Sequence, residues 1–380
     1  MPRFLVRFLL FMSLAAPAGL QNQPSTLQPF TLTWVEGKCK RCQIARQLAE
    51  VHFVSKTEAW AVGFLFPYHG QGSGDYVMVH SVDGGRTWQE MVSSRMHAGA
   101  PTFAFLDERR GWISSMAPTG ECAVRQTEDG GRHWKILSDS CIEISRFFTA
   151  RQGYGVTSCE TEQRCFTRTL DGGRRWKDSV LPLQYVDKTF FVDAQAGWIA
   201  GKTRDGKEVV LRTADGGNHW EASMVEAGPD VAEARDLFFA DASHGWLISW
   251  AFNDGGTRLF KTVDGGKSWI ADSDNSFQGK RKWLSAARFI DDKTGFAFNA
   301  VDTSTSVPEL PPGSDGYMRV DFGTGDKNHL LYTHDGGQHW NSFALPRQVY
   351  ECQVLQGELL CSALFGESGL WLVRVHPLGR

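Results

Sequence analysis

Six aspartates recur along the chain, each two positions after a serine or threonine and directly before two glycines and, three positions later, a tryptophan. One copy is "TADGGNHW" at 213–220. A carboxylate beside paired glycines can cradle a ligand, or it can stabilise a tight turn by accepting hydrogen bonds from backbone amides. A ligand role requires six near-identical sites, so the recurrence favours the turn. The aspartates are Asp83, Asp129, Asp171, Asp215, Asp264 and Asp335.

The spacing of these octapeptides indicates a repeat. Successive aspartates are 46, 42, 44, 49 and 71 residues apart, and a period in the forties is typical of one four-stranded propeller blade. Before each octapeptide, two aromatic residues stand seven positions apart, and the second usually follows glycine. This spacing predicts a strand, a tight turn and a second strand. The pairs are Phe53/Trp60, Phe105/Trp112, Phe147/Tyr154, Phe191/Trp198, Phe239/Trp246 and Phe289/Phe296.

The two motifs together predict an all-β fold in which each octapeptide is the turn between the last two strands of a blade. Three further strands without an octapeptide are predicted at 348–356, 357–365 and 369–375, and one more is predicted at 30–37. Pairing that strand with the three C-terminal ones completes a further blade and removes the exposed sheet edges. The sequence therefore predicts a seven-bladed β-propeller closed by its terminal strands.

The S/T-x-D-G-G-x-x-W turns resemble the Asp-box, or BNR, repeat of sialidase-type propellers. The "TxDGGxxW" form, preceded by the aromatic pair ending in Gly-Trp, resembles the photosystem II stability/assembly factor family over residues 30–375. This resemblance implies a seven-bladed, lumenal or periplasmic assembly factor. We therefore expect an exported, non-catalytic scaffold that binds another protein, with a membrane-protein complex at the membrane surface as one kind of partner.

The first residues have the three parts of a secretory signal. Arg3 and Arg7 precede an apolar run, and Ala16-Pro17-Ala18 provides a small-x-small cleavage site. Residues 1–18 are thus predicted to be a signal peptide and 19–380 a single propeller domain, periplasmic or secreted and monomeric. The formal charge of −3 offers no electrostatic footprint for nucleic acid. The Pro-, Gly- and Ser-rich segment 302–328 is predicted to be a loop insertion in blade six.

Eight cysteines fall in pairs that are close in sequence, as expected of disulfides in an exported chain. The "CKRC" at 39–42 has the spacing of a redox pair, but no βαβ pattern surrounds it. A structural disulfide is therefore preferred there too. The pairs are Cys39/Cys42, Cys122/Cys141, Cys159/Cys165 and Cys352/Cys361.

Charged residues precede the first aromatic of several repeats. If these strands line the channel, their starts ring one mouth of it, where basic side chains can bind the carboxylates of a partner. A solvated rim is the alternative. The positions are Glu50, Arg146, Lys188, Arg235 and Arg288. The predicted binding residues are Arg146, Lys188, Arg235 and Arg288, together with the basic run Lys280, Arg281 and Lys282.

Glycoside hydrolysis is the alternative function, because Asp-box propellers include sialidases. A sialidase needs an arginine cluster and a Tyr nucleophile activated by Glu. Only Arg41 and Arg46 precede the first octapeptide in the mature chain, and Tyr350 and Glu351 are neighbours, which on a regular strand point to opposite faces. A two-carboxylate glycosidase stays open. No phosphate loop, HExxH or G-x-S-x-G motif is present, and no metal or cofactor is predicted.

Overall fold

The computed structural model describes residues 29–40, 48–65, 75–96, 101–116, 120–159, 163–225, 231–251, 256–271, 282–301, 328–347, 349–366 and 369–378. Within these ranges all the regular secondary structure is β-strand. The predicted signal peptide, Cys42, Lys280, Arg281 and residues 302–327 of the predicted insertion lie outside the described residues.

The first strand, β1, spans Phe30–Lys40, and six four-stranded units follow it. Unit 1 comprises β2 (Leu48–Phe53), β3 (Ala59–Leu65), β4 (Asp75–Ser81) and β5 (Thr87–Met96). Unit 2 comprises β6 (Thr102–Phe105), β7 (Gly111–Met116), β8 (Cys122–Thr127) and β9 (Lys135–Ser138). Unit 3 comprises β10 (Glu143–Phe147), β11 (Gly153–Ser158), β12 (Arg164–Thr169) and β13 (Lys177–Val180).

The remaining strands continue the same pattern. Unit 4 comprises β14 (Tyr185–Phe191), β15 (Gly197–Lys202), β16 (Glu208–Thr213) and β17 (Glu221–Met224). Unit 5 comprises β18 (Val231–Phe239), β19 (Gly245–Ala251), β20 (Thr257–Thr262) and β21 (Ile270–Ala271). Unit 6 comprises β22 (Lys282–Phe289), β23 (Gly295–Val301), β24 (Asn328–Thr333) and β25 (Asn341–Leu345). The chain then forms β26 (Val349–Leu355), β27 (Glu358–Gly366) and β28 (Gly369–Pro377).

Strand β1 joins the two ends of the chain. Its first part pairs antiparallel with β28, from Phe30 opposite Pro377 to Gly37 opposite Leu370, as the sequence predicts. We call β26, β27, β28 and β1 the closing unit. Residues 38–40 then pair in parallel with β5, a contact that the sequence analysis missed. Because β1 pairs on both sides, the closing unit and unit 1 form one eight-stranded sheet, beside five sheets of four strands.

The first strand of each unit is the innermost, and these strands contact one another in succession from β6 to β26 and from β26 to β2. The octapeptides form the turns between the third and fourth strands, at the same end of each unit as the turn that follows the first strand. In unit 4, Asp215 Oδ1 accepts hydrogen bonds from the amides of Asn218 and His219, both at 3.0 Å, and Thr213 Oγ1 accepts one from Gly217 at 2.9 Å. The turn therefore satisfies its own backbone donors.

Aromatic stacking connects consecutive units. The phenylalanine that ends an innermost strand lies flat against the tryptophan of the preceding unit, with Phe239 on Trp198 at 3.5 Å between ring centroids and 7° between planes. The indole Nε1 of Trp198 donates to Gly265 O in the octapeptide of unit 5, at 2.8 Å. Equivalent stacks are Phe105/Trp60, Phe147/Trp112 and Phe289/Trp246.

Two glycines make room for these rings. A Cβ on Gly197 would lie 2.0 Å from the ring of Phe191, so in units 2 to 6 the glycine before the second aromatic makes room for the phenylalanine of its own unit, whereas unit 1 has Ala59 at this position. A Cβ on Gly217 would lie 2.2 Å from Phe166 of the preceding unit, and one on Gly131 would lie 2.3 Å from Trp60. The second octapeptide glycine therefore serves the contact between units as well as the turn.

Alanine substitution separates these two roles of glycine. Gly217 and Gly206 have nearly the same backbone angle, φ of 80° and 79°, but a Cβ on Gly206 meets nothing within 4 Å. Gly206→Ala should therefore lower the free energy of unfolding by about 1–2 kcal/mol, which is the cost of placing alanine in the left-handed conformation. Gly217→Ala should cost about 1–3 kcal/mol more, because the new methyl group displaces Phe166. Urea unfolding of both variants measures the difference, and equal losses would contradict a contact role for Gly217.

Three of the four predicted disulfides are present, which is typical of an oxidising environment. They are Cys122–Cys141, Cys159–Cys165 and Cys352–Cys361. The last one joins β26 to β27 across directly paired residues, next to the strand pair that β1 completes. Cys39 lies on β1, but its predicted partner Cys42 is outside the described residues.

Loss of the Cys352–Cys361 bridge should weaken the closing unit. Native disulfides typically contribute about 2–5 kcal/mol, and we expect Cys352→Ala/Cys361→Ala to lose that much. Cys159–Cys165 closes a loop within unit 3 and is the control, because its loss leaves the pairing of β1 intact. Protease sensitivity of β1 on the folded protein, followed by mass spectrometry, should rise in the first variant and not in the second. Equal sensitivity would show that the bridge does not support closure.

Candidate functional site

The innermost strands carry polar side chains that cross from one unit to the next. In units 1, 4, 5 and 6 and in the closing unit, the pairing with the second strand shifts by one residue, at a β-bulge four or so positions before the strand's end. Bulges redirect side chains. Asp187 Oδ2 accepts the amide of Ala234 in unit 5 at 3.2 Å, and Asp236 Oδ2 accepts that of Ala287 in unit 6 at 3.1 Å.

The closing unit makes the same kind of contact with unit 1. Glu351 Oε2 accepts the amide of Val51 at 3.3 Å, which brings its carboxyl group beside that of Glu50. Burial is the largest cause that raises the pKa of Glu50 from 4.5 to about 8, the charge of Glu351 adds to this shift, and the charge of Lys188 opposes it. Burial also raises the pKa of Glu351, while the charge of Lys188 and the hydrogen bond from the Val51 amide lower it. Glu50 is therefore mostly protonated at neutral pH.

Five side chains from units 1, 4, 5 and 6 and the closing unit thus interact electrostatically. Lys188 extends from unit 4 close enough to lower the pKa of both glutamates, which belong to the other side of the ring of strands. We call these residues the inner-strand cluster. Its members are Glu50, Glu351, Lys188, Asp236 and Arg288.

Arg288 differs from the sequence prediction. Its guanidinium group forms an ion pair with Asp236 of unit 5, and its Nε donates to Cys352 O of the closing unit at 2.6 Å. The side chain is only 15% exposed. A solvated position was expected, but Arg288 connects three neighbouring units, so it contributes to stability.

The other predicted binding residues lie at different positions along the innermost strands. Arg146 is the last but one residue of β10, near the octapeptide side, and donates to Phe191 O at 2.6 Å. Arg288 has the same place on β22. The prediction that these charges ring one mouth is therefore wrong for Arg146 and Arg288, because they stand one position before the aligned phenylalanine.

Arg235 and Lys188 are exposed on the middle of their strands. The guanidinium carbon of Arg235 lies 4.4 Å from the ring centre of Trp250, a cation–π contact. Lys282 is the first residue of β22, and its side chain, like the whole of Lys280 and Arg281, is outside the described part of the chain. The structure therefore groups Lys188 with Arg288, and the side chains of the basic run lie outside the described residues.

The sequence analysis missed two members of the cluster. Glu351 was set aside because neighbouring strand residues alternate, and the bulge between Val349 and Cys352 breaks that alternation. Asp236 was overlooked beside Arg235. An acidic residue three or four positions before the aligned aromatic is the signal that could have found it. Among the described residues, no group of three or more His, Cys, Asp or Glu side chains is arranged to hold a metal ion.

This fold places the chain in a class of proteins. The described residues form successive four-stranded antiparallel sheets whose first strands lie together, which is the arrangement of a β-propeller. No helix among the described residues is long and apolar enough to cross a membrane.

Solved structures agree with this class. YCF48 from Cyanidioschyzon merolae is similar with a TM-score of 0.59 at 16% identity, over 91% of this chain and 98% of that chain. The β-propeller domain of the Trilobed protease from Pyrococcus furiosus has a TM-score of 0.54 at 10% identity, over 87% and 93%. A puromycin-hydrolyzing peptidase from Mycobacterium tuberculosis reaches 0.57 at 11%, over 88% and 54%. No family model and no curated protein matches the sequence. These likenesses show the fold alone.

The raised pKa of Glu50 predicts a pH dependence of stability. Its pKa is about 8 in the folded chain and near 4.5 without burial, so between these values the folded state binds more protons than the unfolded state. The free energy of unfolding should therefore fall as pH rises from about 5 towards 8. Glu50→Gln should make this fall shallower, while Glu351 and Glu58, whose pKa values are also raised, keep part of it. Urea titrations of wild type and variant at several pH values measure it, and parallel pH profiles would contradict the assignment.

Proposed function

We propose that this protein is an exported, non-catalytic scaffold, built as a seven-bladed propeller from units 1 to 6 and the closing unit, that binds another protein. The octapeptides and their resemblance to photosystem II stability/assembly factors support the scaffold role. The disulfides and the signal-like first residues support a periplasmic or secreted location. We propose that it acts as a monomer and needs no cofactor or metal.

The observation that carries this proposal is an uneven charge along the innermost strands. Arg146, Lys188 and Arg235 belong to consecutive units 3, 4 and 5, and each is exposed. The carboxyl groups of Glu50 and Glu351 belong to unit 1 and the closing unit. Exposed cations in three consecutive units, beside the carboxyl groups of Asp187 and Asp236, give these strands a charge pattern that repeats of a single turn cannot provide. A protein segment rich in carboxylates fits the basic side, because it neutralises charges that are spaced over three units.

Arg235 is a suitable anchor for such a segment. Its guanidinium group packs on Trp250 and lies 3.5 Å from Glu233, so its position is fixed before a partner binds. Arginine and tryptophan are the residue types that most often dominate binding energy at protein interfaces. An anchor that is already ordered loses little conformational entropy on binding.

Charge reversal at the basic side tests the proposal. Lys188→Glu/Arg235→Glu should weaken binding of the partner by about 2 kcal/mol, roughly thirty-fold in Kd, while the melting temperature changes little. The partner is first identified by co-purification with the tagged protein from its own host, and Kd is then measured with both proteins purified.

A matched control has the same change in charge elsewhere. Lys135→Glu/Lys177→Glu alters two exposed lysines on the outermost strands β9 and β13. This variant should bind as wild type does. Equal weakening in both variants would reflect net charge alone, and unchanged binding in the first variant would reject the basic side as the binding surface.

Glycoside hydrolysis is a second candidate because two carboxyl groups interact electrostatically: the charge of Glu351 raises the pKa of Glu50. Most glycosidases use two carboxyl groups. Hydrolysis of a panel of oligosaccharides, lost in both Glu50→Gln and Glu351→Gln, would support an enzyme. Hydrolysis that persists in both variants would exclude this pair.

A further inference from the structure

The junction between units 1 and 2 differs on the side of the octapeptides from the junctions that follow units 2 and 4, and it shares with Trp246 of unit 5 a buried indole Nε1 that has no partner. At units 2 and 4, the tryptophan Nε1 donates to the next octapeptide, Trp112 to Gly172 O and Trp198 to Gly265 O, both at 2.8 Å. Trp60 of unit 1 turns its six-membered ring towards Gly131 instead, and its buried Nε1 has no hydrogen-bond partner. The connection between units is therefore altered at this junction.

A cavity of about 740 Å³ lies at this junction. Val54 and Leu106, both half-buried, form an apolar part of its lining. The loop residues 107–110 and Glu128 supply charged groups. We call this cavity the junction groove. A volume of several hundred cubic ångströms, partly apolar with a few polar groups, is typical of a binding pocket.

A buried acid–imidazole pair lies beside the junction groove. Glu58 Oε1 is 2.8 Å from His80 Nε2, and the Glu58 side chain is only 9% exposed. His80 stacks on Trp60 at 3.9 Å, and Trp60 stacks on Phe105 of unit 2 at 4.1 Å. Glu108 and Asp107, which line the groove, are close enough to raise the pKa of Glu58. The pair therefore belongs to the electrostatic surroundings of the groove.

Glu58 decides the charge balance of the groove. Asp107 accepts hydrogen bonds from Arg110 Nε at 2.7 Å and from the backbone amides of Arg109 and Arg110, so Asp107 and Arg110 neutralise each other. The carboxylates of Glu108 and Glu128 are balanced by Arg109 and Arg132. When Glu58 ionises, it adds one negative charge that no cation in this set balances.

We propose that the junction groove binds a lysine or arginine side chain of the partner protein. The aliphatic part of such a side chain packs against Val54 and Leu106, and its cationic end reaches the carboxyl groups. One positive charge balances the site. This inference rests on the proposed protein-binding function and adds a second contact, for a basic residue, on the octapeptide side.

Short peptides test the groove without the partner. The probes are acetyl-Gly-X-Gly-amide peptides with X as lysine, arginine, norleucine or glutamate, and the readout is the indole resonance of Trp60 in ¹⁵N-labelled protein, assigned with Trp60→Phe. Lysine and arginine peptides should shift this resonance with saturation, and the other two should not. A saturating shift with norleucine or glutamate, or none with lysine and arginine, would overturn the proposal.

Variants locate the charge. Glu108→Gln/Glu128→Gln should raise the Kd of the lysine peptide about fivefold or more, as expected from the loss of two partly exposed ion pairs. Asp178→Asn/Glu221→Gln removes two exposed carboxylates from the outermost strands and should bind the peptide as wild type does. Equal weakening in both variants would mean that only net charge matters.

The pH dependence gives a second readout. Burial, together with the charges of Glu108 and Asp107, raises the pKa of Glu58 to about 7. Burial, together with the charge of Arg132, lowers the pKa of the facing His80 to about 4. A bound cation favours ionised Glu58, so affinity for the lysine peptide should rise from pH 6 to pH 8, and Glu58→Gln should flatten this rise. A wild-type affinity that falls or stays level would reject Glu58 as part of the site.

Different results would reject the binding of a basic side chain in the groove and the scaffold function. If the partner binds but neither the peptides nor Glu108→Gln/Glu128→Gln has an effect, the groove is wrong and the scaffold stands. If the peptides bind but no protein partner associates with the wild-type chain, the protein-binding function fails, and the groove as a contact for such a partner fails with it.

Discussion

Flat stacking of a phenylalanine on the tryptophan of the preceding unit is the contact on which the architecture depends. Ring centroids lie 3.5–4.1 Å apart in four of the junctions between consecutive units. A ring can lie this close only where the opposite backbone has no side chain, which is why the glycine before the second aromatic in units 2 to 6 and the second octapeptide glycine are both required. The repeat thus encodes its neighbour contacts as well as its own turn.

Polar contacts join the closing unit to unit 1. Phe53 of unit 1 belongs to an apolar cluster with Leu360 and Leu372 of the closing unit. Gln353 accepts the amide of Phe53 and donates to its carbonyl group, both at 2.9 Å, while Glu351 accepts the amide of Val51. The interacting carboxyl groups of Glu50 and Glu351 therefore occur at the junction where the repeat ends. A junction that uses hydrogen bonds from long side chains is less constrained in sequence than a stacked one, which leaves it free to acquire chemistry.

Regular features of this structure follow from the sequence, and irregular ones do not. The octapeptide turns, the strand pairs around each aromatic pair and the pairing of residues 30–37 with the last strand were predictable, because glycine, aspartate and alternation act locally. The bulges were not, because a single extra residue leaves no mark in a short strand. They decide where Glu351 and Asp236 lie, so the inner-strand cluster could be predicted only in part. Residues 38–40 pair with β5 because β1 extends beyond Gly37, where its pairing with β28 ends. This second pairing is a consequence of the assembled fold.

The double pairing of β1 also sets an order of events during synthesis. Of its two partners, β5 is synthesised early and β28 after every other described strand. From the moment β1 emerges until β28 exists, most of β1 has exposed backbone donors and acceptors and no place in a sheet. Such an unpaired strand can associate with another nascent chain as readily as with its own. The interval grows with every repeat between β1 and β28, so the number of repeats sets how long β1 stays unpaired.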